Sequence, residues 1–120
     1  MKYLILMAQD ESIFQALSPD EQWAYMKAHK AFGAALAKRD AALAGEALAD
    51  ASSATTMRHD GLRTVITDGP YAESVEQLGG FYLIDVPHLD DAIALCELLP
   101  HDYTIEIRPV VDVDLDAWPG

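Results

Sequence analysis

The sequence predicts a single α+β domain with an antiparallel sheet and helices on one face of it. Residues 2–7 and 79–86 are apolar at nearly every position, which is typical of strands that are buried on both faces. Residues 103–110 alternate between apolar and polar side chains, as a strand with one exposed face does. Helical patterns separate these strands. The predicted order of elements is therefore strand, helix, strand or hairpin, strand, helix, strand.

The first helix has a strong start signal in the sequence SPDE at residues 18–21. Ser18 is the predicted N-cap, Pro19 takes the first helical position and Glu21 completes a capping box. We expect the helix to continue to about Arg39. Its predicted buried stripe follows steps of four, three and four residues and consists of Tyr25, His29, Phe32 and Leu36.

The segment between the first helix and the second apolar strand is less regular. Residues 42–48 are ambiguous, because Gly45 interrupts an alanine-rich helical pattern and a short strand also fits. Residues 55–59 and 62–67 are predicted strands, joined by a two-residue turn at Asp60-Gly61. This part of the chain is therefore predicted to contain a hairpin.

The second helix is predicted to begin at Asp90 and Asp91, where carboxylates favour the helix dipole, and to end before Pro100. Its predicted buried stripe consists of Leu89, Ala92, Ile93, Cys96 and Leu99. Right-handed crossovers favour a ferredoxin-like βαββαβ topology, in which the first and third main strands are central. Those are the two strands that are apolar on both faces. Because two helices cover one face only, we expect the other face to meet a second copy in a homodimer.

The composition narrows the classes of function. The chain has 120 residues and a formal net charge of −12, which opposes binding to nucleic acid and to anionic membrane surfaces. No apolar run is long enough for a membrane span, and the first residues do not form a signal peptide, so we expect a cytoplasmic protein. Cys96 is the only cysteine and is predicted to be a core residue. No metal-binding spacing is present, and we predict no cofactor.

Several motifs together carry a resemblance to a known family. They are MKYLILM at 1–7, AHKAF at 28–32, TDGPYAE at 67–73, EQLGGFYLI at 76–84, DDAI at 90–93 and IEIRPV at 105–110. With them the chain resembles the YCII-related, DGPF-motif proteins over residues 1–111, which leaves residues 112–120 as an acidic tail. Tyr71 stands where the DGPF motif has Phe, and His88 stands where a small helix-capping residue is more usual.

The resemblance implies a dimeric α+β barrel built from ferredoxin-like subunits. Relatives in the broader group suggest a His–Asp pair in a cleft, and some resemble lactone isomerases or dehydrochlorinases. We therefore expect cofactor-independent proton transfer on a small organic molecule, of isomerase or lyase type. The alternative is a ligand-binding or regulatory module, since some DGPF proteins resemble companions of extracytoplasmic-function sigma factors. A purely structural role is the third interpretation.

His29 and Asp68 are the candidate catalytic residues. His29 lies on the inward stripe of the first helix, and an imidazole titrates near neutral pH, which suits proton transfer. A structural histidine held by hydrogen bonds is the alternative interpretation. Asp68 either caps the Asp-Gly-Pro turn or orients His29 as its acid–base partner. Asp10, just after the first strand, is the alternative aspartate.

The predicted substrate-binding residues are Tyr71, Glu73, Gln77, Gly80 and Arg108. Those between 71 and 77 form either a solvated loop or a rim over a cleft between the first helix and the sheet. Gly80 permits the close approach of a ligand or of another backbone. Arg108 either pairs with Glu106 of a neighbouring subunit or binds an anionic substrate.

Overall fold

A computed structural model describes residues 1–120. The strands are β1 (Lys2–Asp10), β2 (Ala42–Ala47), β3 (Thr55–Asp60), β4 (Arg63–Asp68), β5 (Glu76–Asp85) and β6 (Thr104–Pro109). The helices are α1 (Glu11–Ala16), α2 (Pro19–Lys38) and α3 (Leu89–Cys96). Single turns of 3₁₀-helix cover Ala51–Ser53 and Leu115–Ala117. None of the helices is long and apolar enough to cross a membrane.

Four strands form one antiparallel sheet in the order β2-β5-β1-β6. This is the strand order of a ferredoxin-like βαββαβ domain, with β1 and β5 at the centre, so the predicted α+β topology is confirmed for the single chain. The ambiguous segment after α2 is the edge strand β2. Strands β3 and β4 form a separate two-stranded sheet.

The core lies between the sheet and the helices α2 and α3. Its fully buried side chains include Ile5, Phe32, Leu36, Ile84 and Leu99. Of the predicted α2 stripe, Tyr25, Phe32 and Leu36 are buried and His29 is partly buried. Cys96 is a buried core residue, as predicted, and burial raises the pKa of its thiol to about 11.

The predicted stripe of α3 was wrong at two positions and lacked one buried residue. Leu89 and Ile93 are 46% and 45% exposed, whereas Leu95 is buried. The observed core residues of this segment are Ala92, Leu95, Cys96 and Leu99. The helix is apolar on two adjacent sides, so its hydrophobic spacing alone leaves the rotation about its axis open.

The ends of the helices follow local capping rules. The backbone N–H of Glu21 donates to Ser18 Oγ, and the Glu21 carboxylate accepts from the backbone N–H of Ser18, so the predicted capping box is present. Helix α2 ends one residue before the expected position, and Asp40 follows it with a positive φ of 50°. The short helix α1 was not predicted. Its N-cap is Asp10, whose carboxylate accepts from the backbone N–H of Ser12.

Residues 55–68, which comprise β3 and β4, form a hairpin that we call the arm. Asp60 pairs with Arg63, so the two-residue turn is Gly61-Leu62 and not the predicted Asp60-Gly61. Gly61 has a φ of +60°, which a glycine adopts without strain and which a tight hairpin requires at this position. The N–H of Gly69 donates to the carbonyl of Ala54 at 2.7 Å and closes the base of the arm.

The side of the four-stranded sheet that faces away from the helices carries no helix. We call it the open face. Leu4 pairs with Leu83, and Leu6 pairs with Phe81, across β1 and β5. These four apolar side chains are all only partly buried. The open face therefore presents an apolar centre to its surroundings.

Candidate functional site

A cavity of about 470 Å³ lies between α2 and the helix-facing side of the sheet. This volume is in the range of small-molecule sites in proteins. Helix α2 contributes Tyr25, Met26 and His29 to the wall, and Tyr82 of β5 and Tyr103, just before β6, lie opposite. Residues of β1, α1 and β2 also line the cavity. A cleft at this place, between the His29 helix and the sheet, is what the sequence led us to expect.

His29 is held between two tyrosine hydroxyls. Its Nδ1 lies 2.8 Å from the Tyr82 hydroxyl oxygen, and its Nε2 lies 3.0 Å from the Tyr103 hydroxyl oxygen. Burial in this partly apolar wall lowers the pKa of the imidazole below its ordinary value of 6.5, because the charged form loses hydration. The ring is therefore neutral at pH 7, with one nitrogen protonated and the other free to accept.

Tyr25 extends this polar cluster towards β1. Its hydroxyl donates to Gln9 Oε1 at 2.8 Å. The centroid of its ring lies 5.4 Å from the centroid of the Tyr103 ring, in an edge-to-face arrangement. Burial raises the phenol pKa of Tyr25 and likewise that of Tyr82 and Tyr103. All three hydroxyls consequently remain protonated at neutral pH and keep a hydrogen to donate.

Two glycines shape the wall where β2 meets β5. A Cβ atom at Gly45 would lie 2.6 Å from Cδ1 of Tyr82, so the missing side chain leaves the space for that ring. A Cβ at Gly80 would lie 2.9 Å from the carbonyl oxygen of Glu46. Gly80 thus lines the cavity and permits a close approach, and the group that approaches it is the backbone of β2.

The structure does not bring Asp68 to His29 within one chain. Asp68 is the last residue of β4, its side chain is exposed, and it makes no side-chain hydrogen bond. Both ring nitrogens of His29 already face tyrosine hydroxyls. The alternative aspartate, Asp10, accepts hydrogen bonds from the backbone N–H and the hydroxyl of Ser12, at 3.0 and 2.7 Å. The Ser12 bonds also lower the pKa of Asp10.

Four predicted substrate-binding residues lie outside the cavity in the single chain. Tyr71 and Glu73 are exposed on the loop between β4 and β5, and the Gln77 side chain donates to the carbonyls of Ala72 and Ser74 within that loop. This loop forms no rim over the cavity. Arg108 forms an ion pair with Glu106 of its own strand. The predicted ion pair was with Glu106 of a neighbouring subunit.

Sequence reasoning did not identify the two tyrosines that contact His29. Tyr82 lies two residues before the buried Ile84, and Tyr103 lies two residues before Ile105, so both point to the helix side of the sheet. A tyrosine at a helix-facing position needs a partner for its hydroxyl. His29, on the inward side of α2, also needs hydrogen-bond partners. These matching requirements were the sequence observation from which the contact could have been predicted.

Comparison with known proteins shows the family of the chain. A family model described as the YCII-related domain matches residues 1–114. The chain belongs to the YCII-related family. An uncharacterized protein of Rhizobium meliloti (strain 1021) is 34% identical to this YCII-related protein over 114 residues, which are 92% of each chain. The match confirms the resemblance inferred from the motifs, and it spans every residue of the cavity wall.

Proposed function

We propose that this YCII-related protein transfers a proton on a small organic molecule held in the cavity, as a cofactor-independent isomerase or lyase does. The observation that carries the proposal is the placement of His29: a neutral imidazole, partly open to a ligand-sized cavity, with a tyrosine hydroxyl at each ring nitrogen. General acid–base catalysis needs a titratable group within reach of a bound substrate.

The Tyr–His–Tyr arrangement supplies a base and an acid together. One hydroxyl donates to the unprotonated ring nitrogen, so a proton taken from a carbon next to a carbonyl can pass through that hydroxyl to the imidazole. The other hydroxyl accepts from the ring N–H and keeps its own hydrogen for the carbonyl oxygen of the substrate, where negative charge develops. Return of the proton to another carbon completes an isomerisation. Departure of a leaving group with its electron pair completes an elimination.

Hydrogen exchange in heavy water tests the proposal without knowledge of the natural substrate. Small carbonyl compounds are incubated with the protein, and deuterium uptake next to the carbonyl is followed by mass spectrometry. We expect His29→Gln to slow the catalysed uptake at least ~100-fold, the usual scale of acid–base catalysis. His101→Gln, at an exposed position outside the cavity and the arm, is the control and should keep the wild-type rate. Absence of uptake with the wild-type protein, or equal uptake with His29→Gln, would overturn the proposal.

The pairing of Asp68 with His29 requires a second copy, because the single chain keeps them apart. The same holds for a role of Tyr71, Glu73, Gln77 or Arg108 in substrate binding. Loss of uptake in Asp68→Asn at unchanged dimer content would support such a pairing across subunits. Full activity of Asp68→Asn would leave catalysis to His29 and its two tyrosines.

We propose that two copies pair through their open faces. The chain exposes 8614 Å², whereas a folded monomer of its mass exposes about 6,400 Å². The excess of about 2,200 Å² is what one partner loses in a large homodimer interface. We expect Leu6→Lys, at the centre of the open face, to raise the dimer dissociation constant at least ~10-fold in sedimentation measurements. Leu98→Lys, on the helix side, is the control.

A ligand-binding or regulatory role is the second candidate, and the C-terminal tail favours it. Exposed apolar side chains alternate there with Asp112, Asp114 and Asp116, a pattern that suits docking on a basic, apolar partner surface. The apolar ones are Val111, Val113, Leu115 and Trp118. Titration with a purified extracytoplasmic-function sigma factor tests this role. Micromolar binding that is lost when the chain is cut after Pro109 would support it, and no binding by the full chain would remove it.

A further inference from the structure

We propose that the arm is an intersubunit clasp that docks on a second copy of this chain. The inference adds to the pairing of open faces proposed above, and it is tested separately. It rests on the two faces of the arm, on its charge and on the shape of the chain.

The two faces of the arm differ in what covers them. Met57 and Ile66 are directly paired on one face, and they are 62% and 66% exposed. On the other face, Arg58 donates to the carbonyl of Tyr71 at 2.8 Å, and Thr56 donates to the carbonyl of Gly69 at 2.8 Å. The loop after β4 therefore holds that second face. The first face has an apolar centre that nothing in its own chain covers.

An isolated two-stranded hairpin is marginally stable in water and gains stability by packing on another surface. The arm forms a sheet of its own and pairs with no strand of the main sheet. Its tip residue Leu62 is fully exposed. An exposed apolar hairpin is also a site of uncontrolled association unless a defined partner covers it. The arm thus has the properties of a segment whose packing partner lies outside the chain.

The shape and the charge of the chain point to a second copy as that partner. The radius of gyration is 17.2 Å, whereas a compact domain of this length has about 14 Å. The chain also exposes 8614 Å², against about 6,400 Å² for a compact monomer of its mass. Both quantities indicate that part of the surface of the chain is covered by a partner. Two copies with a net charge of −12 each repel one another. In the arm, however, Arg58 and Arg63 balance Asp60 and Asp68, so this neutral segment approaches the acidic partner without that penalty.

Neighbouring positions on opposite faces of the arm give a matched test. Ile66→Glu puts a carboxylate on the uncovered face, and Thr67→Glu adds the same charge on the other. We expect Ile66→Glu to raise the dimer dissociation constant at least ~10-fold in sedimentation velocity, as loss of a central apolar contact does, and Thr67→Glu to change it little. Circular dichroism should show the main domain folded in both variants. An unchanged dissociation constant for Ile66→Glu, or a wild-type monomer at tens of micromolar, would overturn the clasp.

Amide hydrogen exchange gives a second measurement that needs no variant. If the arm is stabilised by a partner, the amides of residues 55–68 lose protection as the protein is diluted below the dissociation constant. The amides of β1 should keep theirs, because β1 lies between β5 and β6 of its own chain and pairs with both. Arm protection that is independent of concentration would show that the arm is held within one chain. Dissociation by Leu6→Lys but not by Ile66→Glu would retain the open-face dimer and remove the clasp.

Discussion

Gly45 of β2 lies directly across from Tyr82 of β5, and the ring of Tyr82 occupies the space that a side chain at residue 45 would fill. The Tyr82 hydroxyl then reaches Nδ1 of His29 at 2.8 Å. A residue without a side chain on an edge strand thus sets the position of an aromatic ring on the central strand, and through that ring it fixes one hydrogen bond of the candidate catalytic histidine.

Gly45→Ala should therefore destabilise the protein and displace Tyr82 from His29. The added Cβ would lie 2.6 Å from Cδ1 and 3.0 Å from Cε1 of the ring, so the ring or the edge strand must move. Overpacking of this kind costs about 1–3 kcal/mol of unfolding free energy. Urea unfolding measures that loss, and the His29 ring shifts in NMR spectra report the broken contact.

Gly33→Ala is the matched control for Gly45→Ala. Gly33 lies inside α2. Apart from the neighbouring backbone of the helix itself, a Cβ added there would have no heavy atom within 4 Å. Alanine favours helix over glycine by about 0.5–1 kcal/mol. The two glycine-to-alanine changes should thus have opposite signs. Equal effects would contradict the role assigned to Gly45.

Sequence reasoning succeeded for features that are set by neighbouring residues and by hydrophobic pattern. The capping box at Ser18, the central positions of β1 and β5, and the inward direction of His29 all follow from side-chain type and spacing. The side of α3 that faces the core did not follow, because Leu89, Ile93 and Leu95 are all apolar and only the packing against the sheet selects among them.

The partners of His29 could not be predicted for a related reason. Tyr82 and Tyr103 are 53 and 74 residues away from it in the chain, and they meet it through the sheet order and the register of β5. Asp68 was selected as a candidate because it belongs to the turn motif Asp68-Gly69-Pro70, which can be recognised from neighbouring residues alone. Long-range contacts between a helix and two different strands leave no such local mark.

Tyr82→Phe and Tyr103→Phe should each leave one ring nitrogen of His29 without a protein partner. The loss of such a hydrogen bond in a partly buried site costs about 1 kcal/mol of unfolding free energy. The two variants should also favour different imidazole tautomers, which ¹⁵N NMR distinguishes, because each removes the hydroxyl at a different nitrogen. Tyr71→Phe, whose ring is exposed on a loop, should change neither quantity. If all three variants match the wild type, the Tyr–His–Tyr arrangement is not present in solution.

Ser18→Ala should weaken the start of α2, the helix that carries His29. The change removes the hydroxyl that accepts from the backbone N–H of Glu21 at 3.2 Å, and loss of such an N-cap costs about 1 kcal/mol. Ser52→Ala, at an exposed serine that makes no side-chain hydrogen bond, is the control. Urea unfolding followed by circular dichroism should separate the two variants. A stability of Ser18→Ala equal to that of Ser52→Ala would show that the capping box contributes nothing.

The stability of the protein should fall as the pH drops from about 7 to 5, through the range in which His29 titrates. Burial lowers the pKa of His29 in the folded state below its ordinary value of 6.5. In this range the unfolded chain therefore binds more protons at this position than the folded chain does, and the unfolding free energy rises with pH. The stabilisation that neutral His29 provides is present in full above its pKa in the unfolded chain. It is lost as the pH falls through its pKa in the folded chain.

His29→Gln isolates this contribution, because glutamine keeps a polar side chain but does not titrate. We expect the plot of unfolding free energy against pH to become flatter in His29→Gln, while His101→Gln, at an exposed position outside the arm, keeps more of the wild-type slope. A direct NMR titration of His29 should give a midpoint below 6.5 in the same protein. A midpoint above that value would mean that a negative charge stands beside the ring in solution. Such a charge would have to come from a second copy, since no carboxylate of the same chain is hydrogen-bonded to His29.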